Sequence, residues 1–439
     1  MDERSFPNPK LGDPLLIAYK TFADLAGKGS LFVITVLAAR MLSPQAFGVF
    51  SLASTLGWIL AVVADFGIQL HVARAIARRP DEAAALLRAW LRVRLWTAAG
   101  ATLAAVMAAG LAGWSAAYAL PIVLFAVMYA CSGLIEFLHY VYRGLSRTDI
   151  ESSLTLWQRG ATLVCGIIAL VWWRDVTMLA IAMLLPAVAT LGVSLRIARR
   201  VAAGSAIRDR SAIRDRSAIP SRSAIPNPQS AMMSDVWPIG AGIVLSALYF
   251  RVDVFLVQLW SGTEAVGLYN AVFRLVEALR LFPAAVMAVA LPSLCRGQDL
   301  RPLARVAAPI TGAAVAATIV LWAAAGWVIP AIYQPRYDAA VPAFRILLLS
   351  FPLMTLNMAL THQLVGWDGQ RAYAALCALA LVVNLALNAR LIPAFSIDGA
   401  AWATLGTELF LTAGCTVALR MSIARLKGSR SLPEPAVAG

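Results

Sequence analysis

The amino-acid sequence predicts an all-α polytopic membrane protein of about twelve transmembrane helices, arranged as two six-helix lobes related by a parallel pseudo-two-fold repeat. Three observations lead there. Of the 439 residues, 60% are hydrophobic and only 14% charged, whereas a soluble domain averages about 25% charged residues and roughly half apolar ones. The apolar residues come in long blocks, such as LFVITVLAA (31–39), AAGATLAAVMAAGLAG (98–113) and ITGAAVAATIVLWAAAG (310–326). A helix rising about 1.5 Å per residue needs about 20 such residues to cross a bilayer. Finally, a short pattern recurs half a chain apart, on either side of a polar segment.

In chain order, the opening MDERSFPNPK has no apolar h-region, so the first span is expected to serve as the insertion signal itself. Spans are expected at about 18–40, 46–71, 90–111, 115–140, 153–173 and 176–198. A second set follows at about 237–260, 265–293, 306–329, 340–364, 372–392 and 398–420. Four segments result: an N-terminal lobe (1–200), a disordered cytoplasmic linker (201–235), a C-terminal lobe (236–424) and a cytoplasmic tail (425–439). The linker contains SAIRDRSAIRDRSAIPSRSAIP (205–226), a six-residue repeat with no apolar face at period 2 or 3.6.

With the N-terminus in the cytoplasm, the inner connections hold RAIARRPDE (74–82), RGLSRTD (143–149), the linker, CRGQDLR (295–301) and RLKGSR (425–430). The outer turns hold few cations: Arg40, Arg174, Arg336 and Arg390. Cations are retained on the cytoplasmic side of membrane proteins, so both termini are expected inside. The net charge of +14 is this bias summed over many loops and is no nucleic-acid footprint. The longest outer turn, PAIYQPRYDAA (330–340), leaves no room for an outer catalytic domain. The five cysteines are scattered without a CxxC, and three histidines form no cluster. No metal or cofactor motif and no nucleophile–base pair is visible.

The repeat pairs SPQAFGVF (43–50) with GTEAVGLY (262–269). In each copy a short outer turn leads through an acceptor-bearing residue (Gln45, Glu264) and an alanine to a glycine (Gly48, Gly267), then an aliphatic and an aromatic residue. Both copies join the first and second spans of their halves, and an even number of spans separates them, so the repeat is parallel. Such repeats recur in secondary transporters, with substrate bound between the halves.

Three stretches carry a family resemblance. ARMLSPQAFGVFSLASTLGWILAVVADFGIQLHVARAIAR (39–78) resembles the first hairpin of the polysaccharide-transporter branch of the multidrug/oligosaccharidyl-lipid/polysaccharide (MOP) superfamily. YFRVDVFLVQLWSGTEAVGLYNAVFRLVEALRLFPAAVMAVALPSL (249–294) resembles its seventh and eighth spans, and VVNLALNARLIPAFSIDGAAWATLGTEL (382–409) its last two. The resemblance implies a V-shaped fold like that of MATE transporters. It also implies a flippase that moves undecaprenyl-diphosphate-linked oligosaccharide across the bacterial inner membrane for O-antigen or exopolysaccharide synthesis. The partners so implied are the lipid-linked oligosaccharide, membrane lipid, and a polymerase and chain-length regulator of the same pathway. The repetitive linker and the short tail depart from the family pattern. A multidrug extruder of the same superfamily is the first alternative, and a membrane polysaccharide polymerase or ligase the second. A major-facilitator carrier fits poorly, because ADFGIQLHVARAIARR (64–79) lacks that group's glycine and charge pattern.

A cargo of this kind needs a polar, partly cationic cavity across about 30 Å of hydrocarbon, and charges within spans are functional by default. Asn270, Arg274 and Glu277 fall on one helical stripe with Arg280 nearby, either lining a cavity or forming an internal bridge. Arg251 and Asp253 lie about 200° apart around their helix. One is expected to face the cavity and the other to pair across the hairpin, as Asp253–Arg274 or Arg251–Glu277. Asp24 and Lys28, extended by Lys20, form either a local bridge or a cavity element. Asp65 is expected to pair with Arg74. Glu408 or Glu136 could carry a coupling proton. Asn384 and Asn388, with GAA (399–401), read as helix packing. The expected cargo-binding set is therefore Lys28, Arg251, Asn270, Arg274 and Arg280. The coupling or charge-pairing set is Asp24, Asp65, Asp253, Glu277 and Glu408.

Overall fold

The computed structural model describes residues 14–111, 116–213, 237–296, 300–367 and 369–430. The expectations for the opening segment, for 214–235 of the linker and for 431–439 of the tail fall outside these residues. Among the described residues the secondary structure is helical and no strand occurs. The chain divides into two compact units, Met1–Val244 and Leu245–Gly439.

The first unit holds α1 (Pro14–Met41), α2 (Pro44–Asp65), α3 (Ile68–Arg78), a 3₁₀ turn (Pro80–Glu82), α4 (Ala83–Leu111), α5 (Ala116–Gly144), α6 (Thr148–Trp172) and α7 (Val176–Ile213). The start of α2 is fixed by Pro44 and by Ser43, whose hydroxyl accepts the Ala46 amide at 3.1 Å. Its end corrects the expected span at 46–71. Phe66 and Gly67 adopt left-handed backbone (φ 46° and 79°), and the Asp65 carboxylate accepts the amides of Gly67 and Gln69. The chain restarts as amphipathic α3, which buries Ile68, Val72 and Ile76 while Arg74 and Arg78 stay exposed. These apolar residues join Trp90 of α4, Phe137 and Tyr142 of α5 and Ala198 of α7 in one core. The Tyr142 hydroxyl donates to the Ser194 carbonyl at 2.7 Å, tying α5 to α7. Elsewhere α1 packs on α6 and α2 on α5. The helical reach of α7 also differs from expectation: it continues through Ile213, so the first residues assigned to the linker extend the helix.

In the second unit, α8 (Trp237–Leu279), α9 (Leu281–Arg296), α10 (Arg301–Tyr333), a 3₁₀ helix (Pro335–Ala340), α11 (Val341–Gly366) and α12 (Gln370–Arg430) follow one another, α8 beginning in the first unit. Among the described residues ten helical stretches are long and apolar enough to span a membrane, and two of them, Gly240–Ala290 and Gln370–Ile423, have 51 and 54 residues. At about 1.5 Å per residue each would exceed twice the roughly 30 Å of hydrocarbon. Both are broken, α8 at Gly262 (φ 84°) and α12 at Ser396 (φ 50°). The halves fold back on each other. Phe250 packs on Phe273 with ring centroids 5.2 Å apart, and Asn384 donates to Thr407 at 3.1 Å. Helix α11 packs against α9, α10 and α12, around a core that includes Met287, Leu303, Leu360, Leu364 and Leu411. Large apolar side chains such as Trp96, Leu103, Trp172, Val289, Ile319 and Trp327 are exposed. Water would penalise this surface and lipid does not. The protein is a multi-pass membrane protein.

Candidate functional site

The fold-back at Gly262 sets the two halves of α8 side by side, and their polar residues meet. Arg251 donates to the Asn270 side-chain oxygen at 3.1 Å and to Oε2 of Glu277 at 3.1 Å. Arg274 donates to the same Glu277 oxygen at 2.7 Å. Two guanidinium groups therefore share one carboxylate oxygen. Of the two cross-hairpin pairs expected, Arg251–Glu277 is present. The Asp253–Arg274 pair is replaced, because Asp253 accepts the Tyr269 hydroxyl at 2.5 Å, and Tyr269 in turn lies 3.3 Å from the Thr404 hydroxyl of α12. The expected split of Arg251 and Asp253 between a cavity and a neighbouring helix is also corrected. Both are 2% exposed and both reach the second half of α8, because the long arginine stem spans the angle between them. Arg274 and Glu277, with side chains 18% and 35% exposed, form the accessible end of the network.

Beside this network lies a cavity of about 260 Å³. Arg280, at the break between α8 and α9, and Glu408 on α12 both line it, with Tyr249, Asn357, His362 and Tyr373. The Arg280 guanidinium lies over the Phe250 ring, 4.4 Å from its centroid, and its Nε is buried without a hydrogen-bond partner. Glu408 accepts the Asn357 amide at 2.7 Å, and Thr412 donates to the Asn357 oxygen at 2.8 Å. Asn388 donates to Asn384 at 2.8 Å, within the α12 hairpin.

In the first unit the structure reassigns the expected pairs. Asp65 faces Arg94 of α4 at 3.8 Å, and Arg74 is exposed. Asp24 pairs with Lys20 at 3.2 Å, one turn before it. Lys28, one turn after, is exposed. Lys20 also reaches Glu151 of α6 at 2.6 Å, and Arg143 of α5 meets the same carboxylate at 2.5 Å. Glu136 stands 3.8 Å from both His139 and Arg143. Lys20, Glu151 and Arg143 thus tie α1, α6 and α5 together.

Several of these partners carry no sequence signal of their pairing. Arg94 reads as one of three arginines in an interfacial run, and Arg143 and Glu151 as loop charges. Tyr269 had a signal: it is the aromatic of the second repeat copy, where the first copy has Phe50. Asn357, an amide in a largely apolar span that also holds Gln363, was legible as a buried donor.

Residues 17–298 match the family described as "Polysaccharide biosynthesis protein". No curated protein matches the chain. Among solved structures, a multidrug resistance MATE family transporter of the MOP superfamily in an inward-facing conformation superposes with a TM-score of 0.67 and 16% identity, covering 94% of this chain and 96% of that one. The lipid II flippase MurJ in an inward closed conformation gives a TM-score of 0.67 and 10% identity, covering 96% and 94%. The MATE transporter VcmN of Vibrio cholerae gives 0.59 and 13%, covering 95% and 96%. At these identities the likeness establishes the fold alone, which the chain shares with these transporters.

Proposed function

Since the chain belongs to the polysaccharide biosynthesis protein family and has a MOP transporter fold, we propose that it flips undecaprenyl-diphosphate-linked oligosaccharide across the bacterial inner membrane by alternating access. In this reading the chain crosses the membrane twelve times, α8 and α12 each crossing twice, with both termini cytoplasmic. The product feeds O-antigen or exopolysaccharide synthesis.

One observation carries the cargo assignment: Arg251 and Arg274 converge on one oxygen of Glu277 inside a membrane-spanning hairpin. Two guanidinium forks meet at this one carboxylate oxygen, and such a fork matches phosphate oxygens in two parallel bonds. Arg274 is the accessible member and is assigned to the diphosphate. Arg251 and Asn270 hold Glu277 in place from the buried side. Arg280 is assigned to the glycan end. Family membership supports the same cargo, and one fold relative is itself a lipid II flippase.

The test is a flipping assay on purified protein in proteoliposomes. They carry a fluorescent undecaprenyl-diphosphate oligosaccharide, quenched by a reductant that does not cross the membrane. A flippase exposes the inner-leaflet pool and quenching goes to completion. Quenching that stops at the outer-leaflet half would reject the proposal. The buried carboxylate Glu408 beside Tyr249 and Tyr373 favours a second reading, export of cationic drugs, and efflux of a cationic dye without lipid flipping would establish it.

A further inference from the structure

We infer that the second-unit cavity is a monosaccharide subsite that holds one neutral sugar ring of the cargo, an assignment that rests on the flippase reading. The cavity draws on five segments: Tyr249 from the first half of α8, Arg280 from the α8–α9 break, Asn357 and His362 from α11, and Tyr373 and Glu408 from the two halves of α12. Its charges select the ligand class. Arg280 and Glu408 both line the cavity, yet no ion pair joins them among the described residues. A phosphate would meet the Glu408 carboxylate and a cation would meet the Arg280 guanidinium. A neutral polyol is opposed by neither, because each hydroxyl both donates and accepts.

The remaining groups fit the same ligand. Arg280 Nε is an unpartnered donor. Glu408 receives Asn357 at Oε2, which leaves Oε1 able to accept. His362 bonds the Met358 carbonyl through Nδ1 at 2.7 Å. That bond requires Nδ1 to donate, so in the neutral ring Nε2 is an acceptor. Donor and acceptors thus stand around one space, whose wall also includes the aromatic side chains of Tyr249 and Tyr373. A volume of about 260 Å³ has room for one sugar ring.

The experiment uses the full chain in lipid nanodiscs and the free oligosaccharide released by mild acid from extracted lipid-linked oligosaccharide. Saturation-transfer NMR is expected to show transfer from the wild-type protein to the protons of one ring. Ala284→Phe, which fills the cavity from its wall, should abolish it. Tyr373→Leu should weaken binding about tenfold, and Tyr373→Phe, which keeps the ring, should bind as the wild type does. In the proteoliposome assay, Tyr373→Leu should raise KM for the lipid-linked oligosaccharide about tenfold and leave the maximal rate within twofold. No transfer with the wild type, or unchanged transfer in both Ala284→Phe and Tyr373→Leu, overturns the inference. Flipping without transfer leaves the flippase reading standing and removes the subsite. Transfer without flipping does the reverse.

Discussion

Arg274→Ala is the perturbation on which the anion-binding role turns. In the structure Arg274 and Glu277 have side chains 18% and 35% exposed, and Glu277 keeps a second partner in Arg251 at 3.1 Å. Losing one member of a partly exposed pair costs on the order of 1 kcal/mol, so the protein should insert and melt nearly as the wild type does. Arg251→Ala differs. Arg251 is 2% exposed and bonds both Asn270 and Glu277, and breaking a buried pair costs about 3–5 kcal/mol. The expected pattern is loss of flipping at normal protein level for Arg274→Ala, against loss of protein and a lowered Tm for Arg251→Ala. Arg274→Lys keeps a point charge without the fork and should retain partial flipping. The double variant Arg274→Ala with Glu277→Gln removes both charges of that pair and leaves Arg251 an amide oxygen to donate to. If Arg274 served only to neutralise Glu277, the double variant would recover transport. Quantitative flipping in proteoliposomes with thermal melts on the same preparations distinguishes the cases. Full transport by that double variant, which keeps the Arg251 charge, would sink the anion-binding role of Arg274.

Further outcomes are expected elsewhere. Arg94→Leu leaves Asp65 buried without its ion-pair partner and should lower stability by about 3–5 kcal/mol. Arg94→Leu with Asp65→Asn should regain most of it, read as apparent Tm in detergent. Gly57→Val places a Cβ 2.7 Å from the Tyr129 ring and 3.1 Å from the Phe125 carbonyl, so it should part α2 from α5 and cut membrane levels of the protein. Gly29, with nothing near it, should accept alanine without change. Reporter fusions within 205–213 should read cytoplasmic and those within 332–338 external. The opposite pattern at both sites would reject the assigned orientation and the parallel repeat that depends on it.

The sequence by itself determined the class, the membrane and the positions of most helices, because hydropathy and helical length are local properties. The resemblance carried by 39–78 and 249–294 agrees with the family match over 17–298, and the stretch 382–409 lies beyond the matched residues. The break at Phe66–Gly67 was the main local miss. An aspartate followed by an apolar residue and a glycine reads as span interior until the Asp65 carboxylate is seen capping the next helix.

Partner choice belonged to the tertiary structure. A one-dimensional reading finds charges at helical spacing, so it offered Lys28 for Asp24 and Arg74 for Asp65. The packing of α2 with α4 and of α1 with α6 instead supplied Arg94 to Asp65 and joined Lys20 to Glu151. The hairpin at Gly262 gave Asp253 to Tyr269 and left two arginines on Glu277. The cavity shared by Arg280 and Glu408, residues 128 positions apart in the chain, depends on five segments converging. The physical reason is that a buried charge takes whichever partner tertiary packing places within about 4 Å, and no periodicity along the chain encodes that distance.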